Sequence, residues 1–374
     1  MVTLTESRSP SYAPSDVPRR QAVRYFGPNW YATVMGTAIV ATAGTALGVP
    51  GVQAVWVLSV LLLAVVATAR AGHWLHHRDQ ARAHLLDPAV APFYGCLAMA
   101  LLAVGAATLT AGREVIGESA AVAVDAVLFT VGTLVGLAVA VGIPYLMVVR
   151  HQVEPGSASP VWLLAVVPPM VSAATGPLLV PHLPAGQMRE TLVLSCYGMF
   201  GVSLLATMVI LPLVFARLVH YGPLPLAMTP TLFLVLGPLG QSVTAVSQLA
   251  DVAPEGPYTA FALVYGLPVM GFALFWLVLA GAMVVRAHRR GMPFAMTWWG
   301  FTFPVGTCVT GAAGLGRHTG LVAFEWLADA LFVLLVAAWA VAGVRTLRGL
   351  LSGVLLAAPQ PAPQAPRPAT ARTR

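Results

Sequence analysis

Apolar residues fall in ten long runs separated by short polar links. The runs cover approximately 28–48, 52–72, 91–111, 119–149, 160–182, 190–218, 226–250, 257–286, 294–315 and 321–346. Each reaches the roughly 20 residues that carry a helix across about 30 Å of hydrocarbon. The longer ones predict tilt or extension past the bilayer. The predicted fold class is therefore all-α and integral to a membrane, with ten transmembrane helices joined as five helical hairpins. Five parallel copies of one hairpin suggest a ring around an axis along the membrane normal. The repeat is topological, with little residue identity between hairpins.

The links alternate in charge. Those at 73–90, 150–159, 219–225 and 287–293 carry Arg78, Arg82, Arg150, Arg289 and Arg290, with Arg70, Arg217 and Arg286 at adjoining helix ends. Those at 49–51, 112–118, 183–189, 251–256 and 316–320 carry Glu114, Glu118, Asp251 and Glu255 instead. Of the 20 basic residues, all arginine, only Arg113, Arg189 and Arg317 fall on the second side. Positive charge stays cytoplasmic, so both termini are expected in the cytoplasm of a multi-pass protein of the plasma membrane.

Composition agrees. Hydrophobic residues make up 58% and charged residues 9%, against about 25% charged in soluble domains. Mean hydropathy is +0.81. The net charge of +7 does not point to nucleic acid, because the arginines sit in short loops and tails rather than in an aromatic-interleaved patch. They fit topology signals and contacts to anionic lipid heads. Cys96, Cys196 and Cys308 lie inside apolar runs without metal-ligand spacing and read as small apolar residues. Residues 1–23 hold Pro10, Pro14 and Pro18 and lack the apolar core of a cleavable leader. They are expected to be a disordered cytoplasmic tail, as is the Pro/Ala/Arg segment 348–374. Residues 24–347 form the membrane domain.

Helix breakers concentrate in odd-numbered runs: Pro168 and Pro169 in the fifth, Pro238 in the seventh, Pro304 in the ninth. Each proline frees a carbonyl four residues back, at Leu164, Ala165, Leu234 and Gly300. In hydrocarbon such a group needs protein or water, so the odd helices are expected to face a wet interior. Pro144, Pro212 and Pro268, in even runs, blur this pattern.

Three motifs add a family likeness. Phe26-Gly27-Pro28-Asn29-Trp30-Tyr31-Ala32-Thr33-Val34-Met35-Gly36-Thr37 opens the first run. Gly237-Pro238-Leu239-Gly240-Gln241-Ser242 breaks the seventh. Trp298-Trp299-Gly300-Phe301-Thr302-Phe303-Pro304-Val305-Gly306 lies in the ninth. In this order and spacing they resemble the tellurite-resistance/dicarboxylate transporter family, from about Phe26 to about 345. That family includes TehA, the yeast malate permease and the plant guard-cell slow anion channels. The resemblance implies a homotrimer whose protomers each hold a central pore. Five odd helices would line it and a ninth-helix phenylalanine would plug it. That phenylalanine maps onto Phe303, with Phe301 as second choice. The resemblance implies small inorganic or organic anions as substrates and leaves open which. No cofactor is implied.

Residue physics is compatible with a plug. Phe303 falls about nine residues, or roughly 14 Å, into a helix starting near 294. Phe301, two residues away, points to roughly the opposite face. Both could equally be packing residues. Thr33, Thr37, Ser172, Thr175, Gln241, Ser242, Thr244, Thr302 and Thr307 put neutral polar groups on odd helices; with Pro168, Pro169, Gly237, Pro238 and Pro304 they are the candidate lining and kink residues. Neutral groups suit conduction, because a fixed cation would slow release. Each hydroxyl could instead bond its own helix carbonyl.

Three acids lie in even runs. Asp125 and Asp329 could couple protons. Structural or subunit-contact roles compete, and Glu325 is expected to pair with Arg317 or His318. His73, His76 and His77 read as a solvated, partly cationic helix end rather than a metal site. No catalytic motif points to an enzyme. The leading expectation is an occluded anion channel; the alternative is a proton- or gradient-coupled exporter of C4-dicarboxylates or sulfite.

Overall fold

The computed structural model describes residues 24–154, 156–253 and 257–356. The expected tail 1–23, most of the expected tail 348–374, and Glu255 lie outside them. The principal helices are α1 (Tyr31–Ala46), α2 (Val52–His76), α3 (Gly95–Ala107), α4 (Glu118–Val149), α5 (Pro168–Leu179), α6 (Gln187–Tyr221), α7 (Leu236–Val252), α8 (Tyr258–Arg289), α9 (Phe303–Thr319) and α10 (Val322–Leu351). No strand occurs among the described residues. A short helix, Arg78–Leu86, follows α2, and α3 continues through a π turn, Thr108–Gly112, into Arg113–Ile116.

Seven helical stretches are long and apolar enough to cross a membrane, or eight if the bent pair Pro160–Val166 and Pro168–His182 is one span. The ten apolar runs therefore do not all become long helices. α1 and α9 have only 16 and 17 α-helical residues, because part of each run is wound more tightly.

That tighter winding is systematic. Every odd-numbered helix is entered through a 3-10 segment: Pro28–Trp30, Ala91–Tyr94, Pro160–Trp162, Leu226–Val235 and Met296–Phe301. Proline occupies the first or second position of the first three, where its missing N–H has no intrahelical partner to lose. The ten-residue fourth segment is long for this conformation. It is braced from outside: Trp276 Nε1 donates to the Leu232 carbonyl at 2.9 Å and Thr297 Oγ1 to the Ala227 carbonyl at 2.6 Å. Opposite these entries the chain reverses at glycine. Gly51 (φ +78°) precedes α2 and Gly320 (φ +68°) precedes α10, in a region other residues enter at a cost.

The helices separate into two layers. Within the most apolar window, 22% of residues are buried in each of α2, α4, α8 and α10, against 89% in the stretch holding α7. α1, α5 and α9 are buried along most of their length. The outer helices expose Val127, Leu134, Leu205, Val264 and Val278, among others, the apolar exterior of a multi-pass membrane protein. Inside, α1 packs on α3, α3 on α5, α5 on α7, α7 on α9, and α9 on α1.

Close approach allows this packing. A Cβ on Gly240 of α7 would lie 2.5 Å from Thr307 Oγ1 and 2.6 Å from the Cys308 nitrogen of α9. α5 and its lead-in bend by 48° at Pro168 and Pro169, which cannot supply the N–H groups that would continue the helix. The Leu164 carbonyl, left without its partner by Pro168, sits against Gly95 of α3, where a Cβ would come within 1.7 Å of it. Hydrogen bonds also join the layers. Trp56 Nε1 donates to Thr108 Oγ1 (2.9 Å), Trp339 Nε1 to Thr37 Oγ1 (3.1 Å) and Thr133 Oγ1 to Ser172 Oγ (2.9 Å).

Gly95→Ala is expected to destabilise the detergent-solubilised protein by about 1–3 kcal/mol, because backbone must move. Gly72→Ala, with nothing within 4 Å of the added carbon, is expected to be neutral or stabilising by up to about 1 kcal/mol. Equal melting temperatures for the two variants would refute the close-contact argument.

Candidate functional site

All five buried helices contribute to one cavity of about 290 Å³. Its wall is built from helical stripes. α7 supplies Gln241, Thr244, Gln248 and Asp251, at steps of three, four and three residues that keep one face inward. α9 supplies Phe303, Thr310 and Arg317, two turns apart. α1 adds Ile39, Thr42 and Thr45; α3 and its π turn add Ala103, Ala106 and Thr110; α5 adds Val171, Ala174, Thr175 and Leu178. From Phe303 to Arg317 the cavity follows α9 for about 21 Å at 1.5 Å per residue. Arg317 and Asp251 belong to the arginine-poor end of the molecule.

Phe303 is the first residue of α9 and is 3% exposed. Phe301 is turned elsewhere. Its ring meets Phe233 edge-on at 4.8 Å and Trp298 at 5.8 Å, so it packs among aromatics outside the cavity lining.

The threonines of the wall have committed their protons. Thr42, Thr45, Thr110 and Thr175 donate to the carbonyls of Ala38, Ala41, Ala106 and Val171 at 3.3, 2.9, 2.8 and 3.0 Å. Thr244 Oγ1 lies 3.1 Å from the carbonyls of Gly240 and Thr307 and 2.7 Å from Thr310 Oγ1. These hydroxyls turn lone pairs, rather than N–H or O–H dipoles, toward the space. The amides of Gln241 and Gln248 and the guanidinium of Arg317 remain as donors. Gln241 is 4% exposed and its Oε1 has no hydrogen-bond partner among the described residues.

At the far end, Arg317 Nη2 meets Asp251 Oδ2 at 3.0 Å, and His318 Nε2 lies 3.2 Å from Asp251 Oδ1 and 3.2 Å from the Ser247 carbonyl. This corrects the expected pairing of Arg317 or His318 with Glu325. α9 packs against α7, which brings Asp251 to Arg317, whereas Glu325 is exposed on α10.

The other candidates lie away from the cavity. Thr33 donates to the Trp30 carbonyl (2.8 Å), Thr302 to Trp299 (2.7 Å), Thr307 to Pro304 (2.7 Å) and Ser242 to Leu239 (2.8 Å). Thr37 and Ser172 face outer helices through Trp339 and Thr133. Pro168, Pro169, Gly237, Pro238 and Pro304 are buried at the breaks. Asp125 is buried against Gly105 of α3, both carboxyl oxygens unpartnered among the described residues. Asp329 is exposed on α10. His73 is buried rather than solvated, its ring 5.3 Å from that of His84. Burial, with the neighbouring charges of His73 and Arg70, holds His84 below the usual histidine pKa. Among the described residues no group of three or more His, Cys, Asp or Glu could hold a metal ion.

Sequence reasoning missed Thr42, Thr45, Thr110, Gln248, Thr310, Asp251 and Arg317 as wall residues. The signal was available as the helical period from Gln241 to Asp251.

Comparison with known proteins places the chain in a family. The SLAC1 family, described as voltage-dependent anion channel, matches residues 25–347. An uncharacterized transporter of Methanocaldococcus jannaschii is 26% identical over 342 residues, covering 88% of this chain and 95% of that protein. A sulfite efflux pump of Arthroderma otae is 27% identical over 338 residues, covering 85% and 89%. A sulfite efflux pump of Trichophyton rubrum is 26% identical over the same length. With its apolar exterior and its motifs from Phe26 to Gly306, this multi-pass membrane chain belongs to the SLAC1 family of anion channels and transporters, which includes the tellurite-resistance/dicarboxylate transporters.

Proposed function

We propose that the protein is an anion channel whose pore runs through a ring of five inner helices and is occluded by Phe303. The observation that carries this reading is the cavity walled by all five buried helices with Phe303 at the start of α9. The unbroken succession of contacts from α1 around to α9 and back supports the ring. Ten crossings are supported by length. Three 3-10 residues at about 2.0 Å and sixteen α residues at 1.5 Å carry Pro28 to Ala46 across about 30 Å. The arginine-rich end is cytoplasmic, in the plasma membrane, and the cavity opens outward.

Anions of modest size enter from the arginine-poor side and lose water between threonine-lined walls. The amide of Gln241 then meets them as a neutral donor close to Phe303. A neutral donor binds weakly enough to let the ion leave. The reading includes a homotrimer: Glu325 and Asp329 face outward on α10 amid apolar residues, where a subunit contact would spare them lipid.

A coupled exporter is the second reading. The sulfite efflux pumps among the relatives favour it, as does the buried Asp125 carboxyl beside the inner helix α3, which has no partner among the described residues.

Reconstituted in liposomes, Phe303→Ala is expected to pass chloride, nitrate, sulfite or malate at least about tenfold faster than wild type, as removal of an apolar constriction should. A folded Phe303→Ala protein with unchanged flux for all four anions would sink the plug. In the Phe303→Ala background, Gln241→Leu is expected to cut flux by about threefold or more, having removed the deep donor. If a proton gradient drives sulfite accumulation in wild type and Asp125→Asn loses it, the exporter replaces the channel.

A further inference from the structure

We infer that Arg317 is the anion-capturing group of the cavity mouth and that Asp251, through its ion pair, sets how tightly Arg317 holds an anion. The inference rests on the pore reading above. Arg317 is the single cationic side chain and Asp251 the single anionic one in the described cavity wall. They lie at the same end and touch at 3.0 Å.

Neither charge is withdrawn from solvent. The Arg317 side chain is 46% exposed and that of Asp251 33%, so the guanidinium presents N–H groups to the space while one of them is held by the carboxylate. A bare guanidinium at a narrow mouth would bind a planar or tetrahedral oxyanion through paired N–H donors and release it slowly. A bare carboxylate would repel every anion. Together they form a site with a competing internal ligand: an arriving anion must displace Asp251 from part of the guanidinium, and Asp251 displaces the anion in turn. Exchange stays fast, as conduction requires.

His318 helps to fix the competitor. His318 Nε2 faces Asp251 Oδ1 at 3.2 Å and the Ser247 carbonyl at 3.2 Å, and this imidazole is 11% exposed. Asp251 is thus gripped from α9 at both oxygens, while its own helix, α7, carries Gln248 one turn earlier on the same stripe. The elements also fix Arg317. Gly314, one turn back, has its added-carbon position 3.8 Å from Arg317 Nη2. The arginine arm therefore lies along α9.

The test uses full-length Phe303→Ala protein in liposomes, with initial uptake measured against nitrate and sulfite concentration. Arg317→Gln is expected to raise the half-saturating concentration at least about tenfold, and Asp251→Asn to lower it by about threefold to tenfold with a lower maximal rate. Arg317→Lys keeps the charge but loses the paired N–H donors, and is expected to raise the half-saturating concentration by about threefold or more, less than Arg317→Gln does. Melting temperature and elution volume identify folded variants, and the Lys variant serves where Gln does not fold. A conducting parent with both half-saturating concentrations unmoved by Arg317→Gln and Asp251→Asn overturns this inference alone. A parent that passes no anion overturns the pore reading and this inference with it.

Discussion

A backbone carbonyl without a partner costs several kcal/mol in hydrocarbon, and proline creates such carbonyls in the interior of this chain. The two-layer arrangement answers that constraint. Helices broken by Pro168, Pro238 and Pro304 are the buried ones, and helices that keep Val, Leu and Phe outward surround them. Where Pro168 releases the Leu164 carbonyl, Gly95 of the neighbouring helix α3 lies against it. Pro144, Pro212 and Pro268 sit in outer helices that remain continuous. A single proline in a long apolar helix does not decide which layer it joins.

The layers were readable because lipid and protein interior ask for different residues. Arginine-rich links and ten apolar runs mark the hairpins, and small and polar residues mark the odd helices. Two things were less legible. First, 3-10 winding depends on how the entry segments pack, so Leu226–Val235 looks in sequence like ordinary apolar helix. Second, polarity on an odd helix has two uses. Thr37 and Ser172 join layers, and Thr33, Thr302 and Thr307 bond their own helices. Only position on the helical wheel separates these from Gln241, Thr244 and Gln248. Glu325 drew attention by closeness in sequence to Arg317, yet α7 delivers the carboxylate. Which helices neighbour each other is a property of the folded chain.

The committed hydroxyls of Thr42, Thr45, Thr110 and Thr175 change the electrostatic description of the cavity. Counting polar residues suggests a wall of donors. The hydrogen bonds leave a wall of oxygen lone pairs relieved by two glutamine amides and one guanidinium. Such a wall solvates an anion less well than the sequence implies.

The contact between α9 and α1 joins helices separated by about 260 residues. At 5–20 residues per second, α1 leaves the ribosome about 13–50 s before α9 exists to cover it. Through that interval one face of α1, including Gly36 where Thr302 will seat, has no permanent neighbour. The hairpin carrying α9 is also the last to be made. Biosynthesis therefore completes the inner layer and inserts Phe303 in the same step, and until then the nascent chain must be shielded by the insertion machinery or by lipid.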